Sequence, residues 1–166
     1  MGSVHVVAVE MELVGIELER PPNIPCLLLR EAEGDHRVLP IFIGSPEATA
    51  IAFALEDVET PRPMTHDLIK DLLDELGAHL ERVVVTDLRD STFYADIIVS
   101  IGGAVHSVSA RPSDAVALAV RFGAPVFAEE GVLDEAGRAP GEGVPDEIVE
   151  QFREFIDHVN PDDFAS

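Results

Sequence analysis

Two segments far apart in the chain open in the same way, and that recurrence constrains the fold more than any other feature. Glu47-Ala48-Thr49-Ala50-Ile51-Ala52 matches Asp114-Ala115-Val116-Ala117-Leu118-Ala119 class for class, an acid followed by small and apolar residues. Ser45-Pro46 precedes the first and Pro112-Ser113 the second. Ser45 can cap a helix, proline fits its first position, and the acid suits the partial positive charge of a helix start. Helices apolar on almost every side must be covered on most sides. Three strand-like runs precede each of them. Val4 to Glu19 reads as a long strand or a strand pair ended by Pro21-Pro22-Asn23, and Pro25 to Arg30 and Arg37 to Ile43 are short strands joined by the turn Glu33-Gly34-Asp35-His36. Leu80 to Leu88 and Thr92 to Ile101 then flank Arg89-Asp90-Ser91, and Ala104 to Ala110 follows Gly102-Gly103. The expectation is an α+β fold built from a duplicated strand-strand-strand-helix unit, with mainly antiparallel sheets packed on buried Ala-rich helices.

Between the two units, Thr60-Pro61-Arg62-Pro63 reads as a turn. Thr65 can cap a helix carrying Leu68, Ile69, Leu72, Leu73 and Leu76 on one face, and Gly77 ends it. Gly123 and Pro125 close the second Ala-rich helix. From Asp134 to Pro145 the chain turns to Gly, Pro and acid, which reads as a linker. Ile148, Val149, Phe152, Phe155, Ile156 and Val159 then recur at helical spacing, predicting an amphipathic C-terminal helix that docks on its own domain or on a partner. The organisation expected is a main domain over 1–136, a linker over 137–145, and the helix and tail over 146–166.

With 166 residues, 46% of them hydrophobic, the chain suits one core. No apolar run approaches the roughly 18 residues of a membrane span, and no signal peptide opens the sequence, so no membrane partner and a cytoplasmic location are expected. The one cysteine, Cys26, lies in the run Pro25-Cys26-Leu27-Leu28-Leu29 and should be a buried strand residue. Charge works against one class of function. Eleven basic against 32 acidic residues give a net −21, and the resulting field repels phosphate backbones. Composition alone therefore argues against nucleic-acid binding, although acid-rich, lysine-poor chains also occur in salty cytoplasm, where screening shortens the reach of repulsion.

No phosphate-binding glycine loop, paired metal histidines or Gly-x-Ser-x-Gly turn is present. What remains are ionic and polar residues near helix starts: Glu47, Arg62, His66, Asp67, Arg111, Ser113 and Asp114. A helix start offers unpaired N–H groups suited to a phosphate or a carboxylate, and plain capping places acids there too. His66 beside Asp67 can bind a metal or move a proton near neutral pH, but neighbours on a helix point about 100° apart and need not act on one atom. Asp87, Asp90 and Asp96 flank a strand pair, where acids are usually turn residues; Asp87 and Asp96 lie within strand-like segments and are the better candidates for lining a cleft. Carboxylates are also the groups that hold divalent metal for phosphodiester hydrolysis.

Three motifs carry a family resemblance. Pro61-Arg62-Pro63-Met64-Thr65-His66-Asp67-Leu68, Thr92-Phe93-Tyr94-Ala95-Asp96 and Ala110-Arg111-Pro112-Ser113-Asp114-Ala115-Val116-Ala117-Leu118-Ala119, in that order, resemble the bifunctional nuclease domain family over roughly residues 5–136. The resemblance implies a small, duplicated α+β fold, a homo-oligomer with a dimer favoured, and a nuclease acting on RNA and DNA without marked sequence preference. On the matching positions, His66, Asp67 and Asp114 are assigned as metal ligands or acid–base groups, and Arg111 as a bidentate phosphate holder. Arg62 and Ser113 would contact substrate. Asp67 and Asp114 would hold Mg²⁺ or Mn²⁺. The rival readings are a non-catalytic oligomeric or regulatory module that binds a protein, and a binder of small anions at the helix starts.

Overall fold

The computed structural model describes residues 7–19 and 23–141. The strands are β1 (Ala8–Glu19), β2 (Ile24–Glu31), β3 (Val38–Phe42), β4 (His79–Arg89), β5 (Thr92–Ile101), β6 (Ala104–Ala110) and β7 (Val126–Glu129). The helices are α1 (Ser45–Leu55), α2 (Thr65–Glu75), α3 (Pro112–Phe122) and α4 (Glu130–Ala136). The C-terminal helix expected over 146–166 lies outside the described residues, as does the end of the linker, 142–145.

A single sheet forms, in the order β3-β2-β1-β7-β4-β5-β6. Each half contributes an antiparallel three-strand meander, and β7 joins them, antiparallel to β1 and parallel to β4. The element order is therefore three strands then a helix in both halves, β1-β2-β3-α1 and β4-β5-β6-α3, with α2 between them. The class is α+β, as expected. The turns follow from backbone chemistry: Asp90 and Ser91 both adopt positive φ, 49° and 64°, the handedness that a two-residue hairpin turn requires. Gly102 and Gly103 do the same between β5 and β6. β1 is one long strand with a register shift between Leu13 and Gly15, so Val14 bulges out and the strand bends.

One sheet face is apolar and carries the helices. Leu27, Leu29, Leu39, Leu80, Val83 and Val85 are almost wholly buried against Ile51 of α1 and Val116 of α3. Each such side chain contributes about 1.5–3 kcal/mol on burial. All of Ala48 to Phe53 is buried in α1, and all of Ala115 to Ala119 in α3. Small residues on both helices let α1 and α3 pack directly on each other as well as on the sheet. Cys26 is buried on β2, as read from the sequence.

Four details differ from the sequence reading. The N-caps are Gly44 and Met64, one residue ahead of Ser45 and Thr65. At α2 the capping is done from inside the helix, because Asp67 Oδ2 accepts the Met64 N–H at 3.0 Å. The apolar residues of α2 divide between two environments: Ile69 and Leu73 pack on the core, while Leu68, Leu72 and Leu76 are exposed. Asp134 to Ala136 complete α4 instead of opening a linker, and Arg138 forms a backbone bridge with Val38 on edge strand β3. α4 is held by Arg37, which binds Glu31 of β2 at 2.6 Å, Asp134 at 3.1 Å, and Glu130. β7 and α4 were not anticipated, since four strand residues and about two helical turns are too short to show a period.

Candidate functional site

The starts of α1, α2 and α3 meet. Asp114, in the first turn of α3, accepts a hydrogen bond on each carboxylate oxygen, from Arg111 Nε at 2.7 Å and in contact with His66 Nε2 at 2.9 Å. Arg111 then reaches from α3 to α1, where its Nη2 donates to Glu47 Oε1 at 3.0 Å. The result is a chain of alternating groups, His66, Asp114, Arg111 and Glu47, tying three helix starts that lie up to 67 positions apart in pairs of 48 and 64 residues. His66 is buried, with its side chain only 9% exposed, so it braces Asp114 from behind. Arg111 is the outer member at 64% side-chain exposure. Among the described residues its Nη1 has no carboxylate partner.

Burial pushes the Asp114 carboxyl upward, but the hydrogen bonds and charges of Arg111 and His66 outweigh this and hold it below the usual range. Asp114 is therefore a carboxylate at neutral pH. The same pairings raise the Arg111 guanidinium, chiefly through Asp114.

Arg111 lines a cleft of roughly 380 Å³. Its walls are the end of β3 with Ile43 and Gly44, the β4–β5 hairpin tip at Ser91, Thr92 and Phe93, and Pro112 and Ser113 of α3. A Cβ on Gly44 would lie 2.2 Å from Glu47 Oε2, so a larger residue there would push the end of that side chain aside. That oxygen therefore folds back over a cleft-lining residue.

Of the residues singled out from sequence, the structure brings His66, Arg111 and Asp114 together and places the buried Ser113 in the cleft wall. Asp67 points elsewhere, as the 100° separation on a helix requires. Its Oδ1 accepts from Arg121 Nε at 2.7 Å, and Arg121 also donates to the carbonyls of Ala117 at 2.8 Å and Ala50 at 3.0 Å. Burial raises the Asp67 carboxyl, while Arg121, the Met64 N–H and His66 lower it further, for a net depression. Arg62 makes no side-chain contact to this junction among the described residues. Asp87 pairs with Arg89 at 2.5 Å, and Asp87 and Asp96 act by charge on Glu129, whose carboxyl is raised first by burial. Sequence reasoning undervalued Glu47 as a cap and passed over Arg121. The signal for Arg121 was a lone cation in the last turn of an otherwise apolar helix.

Residues 27–140 match the bifunctional nuclease domain. The chain belongs to the bifunctional nuclease domain family. An uncharacterized protein of Mycobacterium tuberculosis is 52% identical over 165 residues, covering 95% of this chain and 98% of that protein. Bifunctional nuclease 1 of Arabidopsis thaliana is 30% identical over 105 residues, 61% of this chain and 32% of the plant protein. Bifunctional nuclease 2 of the same plant is 29% identical over 103 residues, 60% and 31% of the two chains. This chain thus spans about a third of the plant relatives' length.

Every member of the junction falls inside the matched bifunctional nuclease domain. Its donor set does not fit a divalent cation held by protein groups alone. Both oxygens of Asp114 and both of Asp67 are already engaged, each carboxylate by an arginine. Among the described residues, no group of three His, Cys, Asp or Glu side chains is placed to hold a metal ion. Nor is any described helix long and apolar enough to cross a membrane.

Proposed function

We propose that this bifunctional nuclease domain hydrolyses phosphodiester bonds of RNA and DNA in the cleft between the end of β3, the start of α3 and the β4–β5 tip. The observation that carries the reading is Arg111: a guanidinium fixed by two carboxylates, lining the cleft, with Nη1 directed to neither of them. Preorganised cations of this kind stabilise the charge that develops on a phosphoryl group. Asp114 holds the guanidinium plane, and His66 holds Asp114. Glu47 Oε2, the oxygen not bonded to Arg111 and lying against the cleft-lining Gly44, takes the proton of the attacking water. As the water oxygen bonds to phosphorus, the bond to the leaving oxygen breaks and that oxygen is protonated from solvent.

The test is steady-state cleavage of labelled RNA and single- and double-stranded DNA by wild type, Arg111→Ala and Glu47→Gln, each with Mg²⁺, Mn²⁺ or chelator. Arg111→Ala should lower kcat/KM by at least 100-fold, the size of losing one preorganised donor. Glu47→Gln should lower kcat with little change in KM. Activity present only with added metal would give the cation a role that these residues alone do not supply. Nucleotide binding that depends on Arg111, without cleavage by wild type, would identify an anion-binding module instead of an enzyme.

A further inference from the structure

The two edges of the sheet are finished differently. On β3 the edge carries Pro40 and is partly covered by Arg138, whose N–H and C=O bond to Val38 at 2.8 and 2.9 Å. On β6 every residue from Ala104 to Ser109 is exposed, with Val105 at 69% and Val108 at 52%. The strand has no proline, no bulge and no lysine, the usual devices that keep an edge from pairing. It also has no Asp, Glu, Lys or Arg, in a chain that is 26% charged and carries a net −21. A second copy of this chain is the partner such a strand suits, because two edges without Asp or Glu let two such anions meet without setting carboxylates against each other.

We propose that β6 is the self-association surface of the protein, pairing antiparallel with β6 of a second copy across a two-fold axis at Ser107. The register follows from the hairpin. Ile101 and Ala104 close the two-residue Gly102-Gly103 turn and are a hydrogen-bonded pair, so with period two Val105, Ser107 and Ser109 direct their backbone groups away from β5. An axis at Ser107 places Val105 opposite Ser109 of the second copy and Ser107 opposite itself, joining all three outward residues. No like charges meet. The sheet then continues through the interface into a second set of seven strands.

Disulfide trapping reads the register directly, because the native Cys26 is buried. Across the axis the two Ser107 Cα atoms stand about 5.5 Å apart, within disulfide reach, whereas two Ser109 Cα atoms stand roughly 14 Å apart. Under mild oxidation Ser107→Cys should yield a covalent dimer and Ser109→Cys should not. By sedimentation, wild type should be a dimer of the 17.9 kDa chain. Its dimer Kd should tighten as NaCl rises from 0.1 to about 0.5 M, since salt screens the repulsion between copies. Ser107→Glu, with circular dichroism unchanged, should weaken the dimer at least 100-fold, and Leu72→Glu on the exposed side of α2 should not. A monomeric wild type at about 100 μM, a Ser107→Glu dimer of native affinity, or equal trapping of both cysteine variants would each overturn the proposal.

Discussion

Asp67→Ala separates a structural carboxylate from a chemical one standing next to it in sequence. Asp67 is the counter-charge of Arg121, whose side chain is only 8% exposed and whose other partners are two backbone carbonyls. Removing one member of a fully buried pair costs about 3–5 kcal/mol. Asp67 is itself 38% exposed, so water reaches the gap, and the ion-pair part is discounted to about 2 kcal/mol. Loss of the bond to the Met64 N–H removes the cap of α2 and adds about 1 kcal/mol. The sum, about 3 kcal/mol, should lower the thermal midpoint by roughly 6–12 °C in a chain of this size. Urea unfolding at pH 7 measures it, with an unchanged m-value showing that the denatured state is the same. The pH dependence has a definite sign. Because the folded-state carboxyl is depressed below its reference value of 3.8, its stabilisation is present above that pH and lost as pH falls below it. The gap between wild type and Asp67→Ala should therefore be constant from pH 7 to 5 and shrink below pH 4. A cost under about 0.5 kcal/mol would refute the pairing argument. Loss of cleavage in Asp67→Ala that remains folded would return Asp67 to the chemical role its motif suggested.

Three further outcomes follow from the same contacts. Arg37→Ala strands the buried Glu31 carboxylate and frees α4, and should cost about 3 kcal/mol in urea unfolding, with Glu31→Met/Arg37→Met restoring most of it. Gly44→Ala displaces the Glu47 carboxylate without backbone strain, so stability should change by less than about 1 kcal/mol while the cleavage rate falls by 10-fold or more. With a net charge of −21, KM for polynucleotide should fall as NaCl rises from about 0.02 to 0.15 M, the reverse of the usual salt dependence of nucleic-acid proteins, and a conventional rise would mean that an unrecognised basic surface governs binding.

The parts of this fold that were legible in the sequence are those with a clear period or a strict turn chemistry. Six strands, the Ala-rich helices α1 and α3, and the Gly77 and Gly123 stops all stand in the residues themselves. Which strands neighbour each other did not: β7 is four residues long, yet it joins the two meanders into one sheet. The junction was half legible. His66, Arg111 and Asp114 lie in recognisable motifs, but nothing local marks that His66 faces Asp114 while its neighbour Asp67 faces Arg121. That division is set by the crossing of α2 over α3. Glu47 read as a cap because its partner lies 64 positions away.

Single-turnover cleavage with enzyme in excess, comparing wild type with Asp114→Asn across a gel-filtration peak, tests the assignment of the junction most directly. Asp114→Asn keeps an oxygen for one neighbour but removes the charge that fixes Arg111. The assignment predicts that wild-type activity follows the protein peak and that Asp114→Asn, folded and eluting identically, cleaves at least 100-fold more slowly. Equal rates for the two proteins, or activity that separates from the peak, would contradict it.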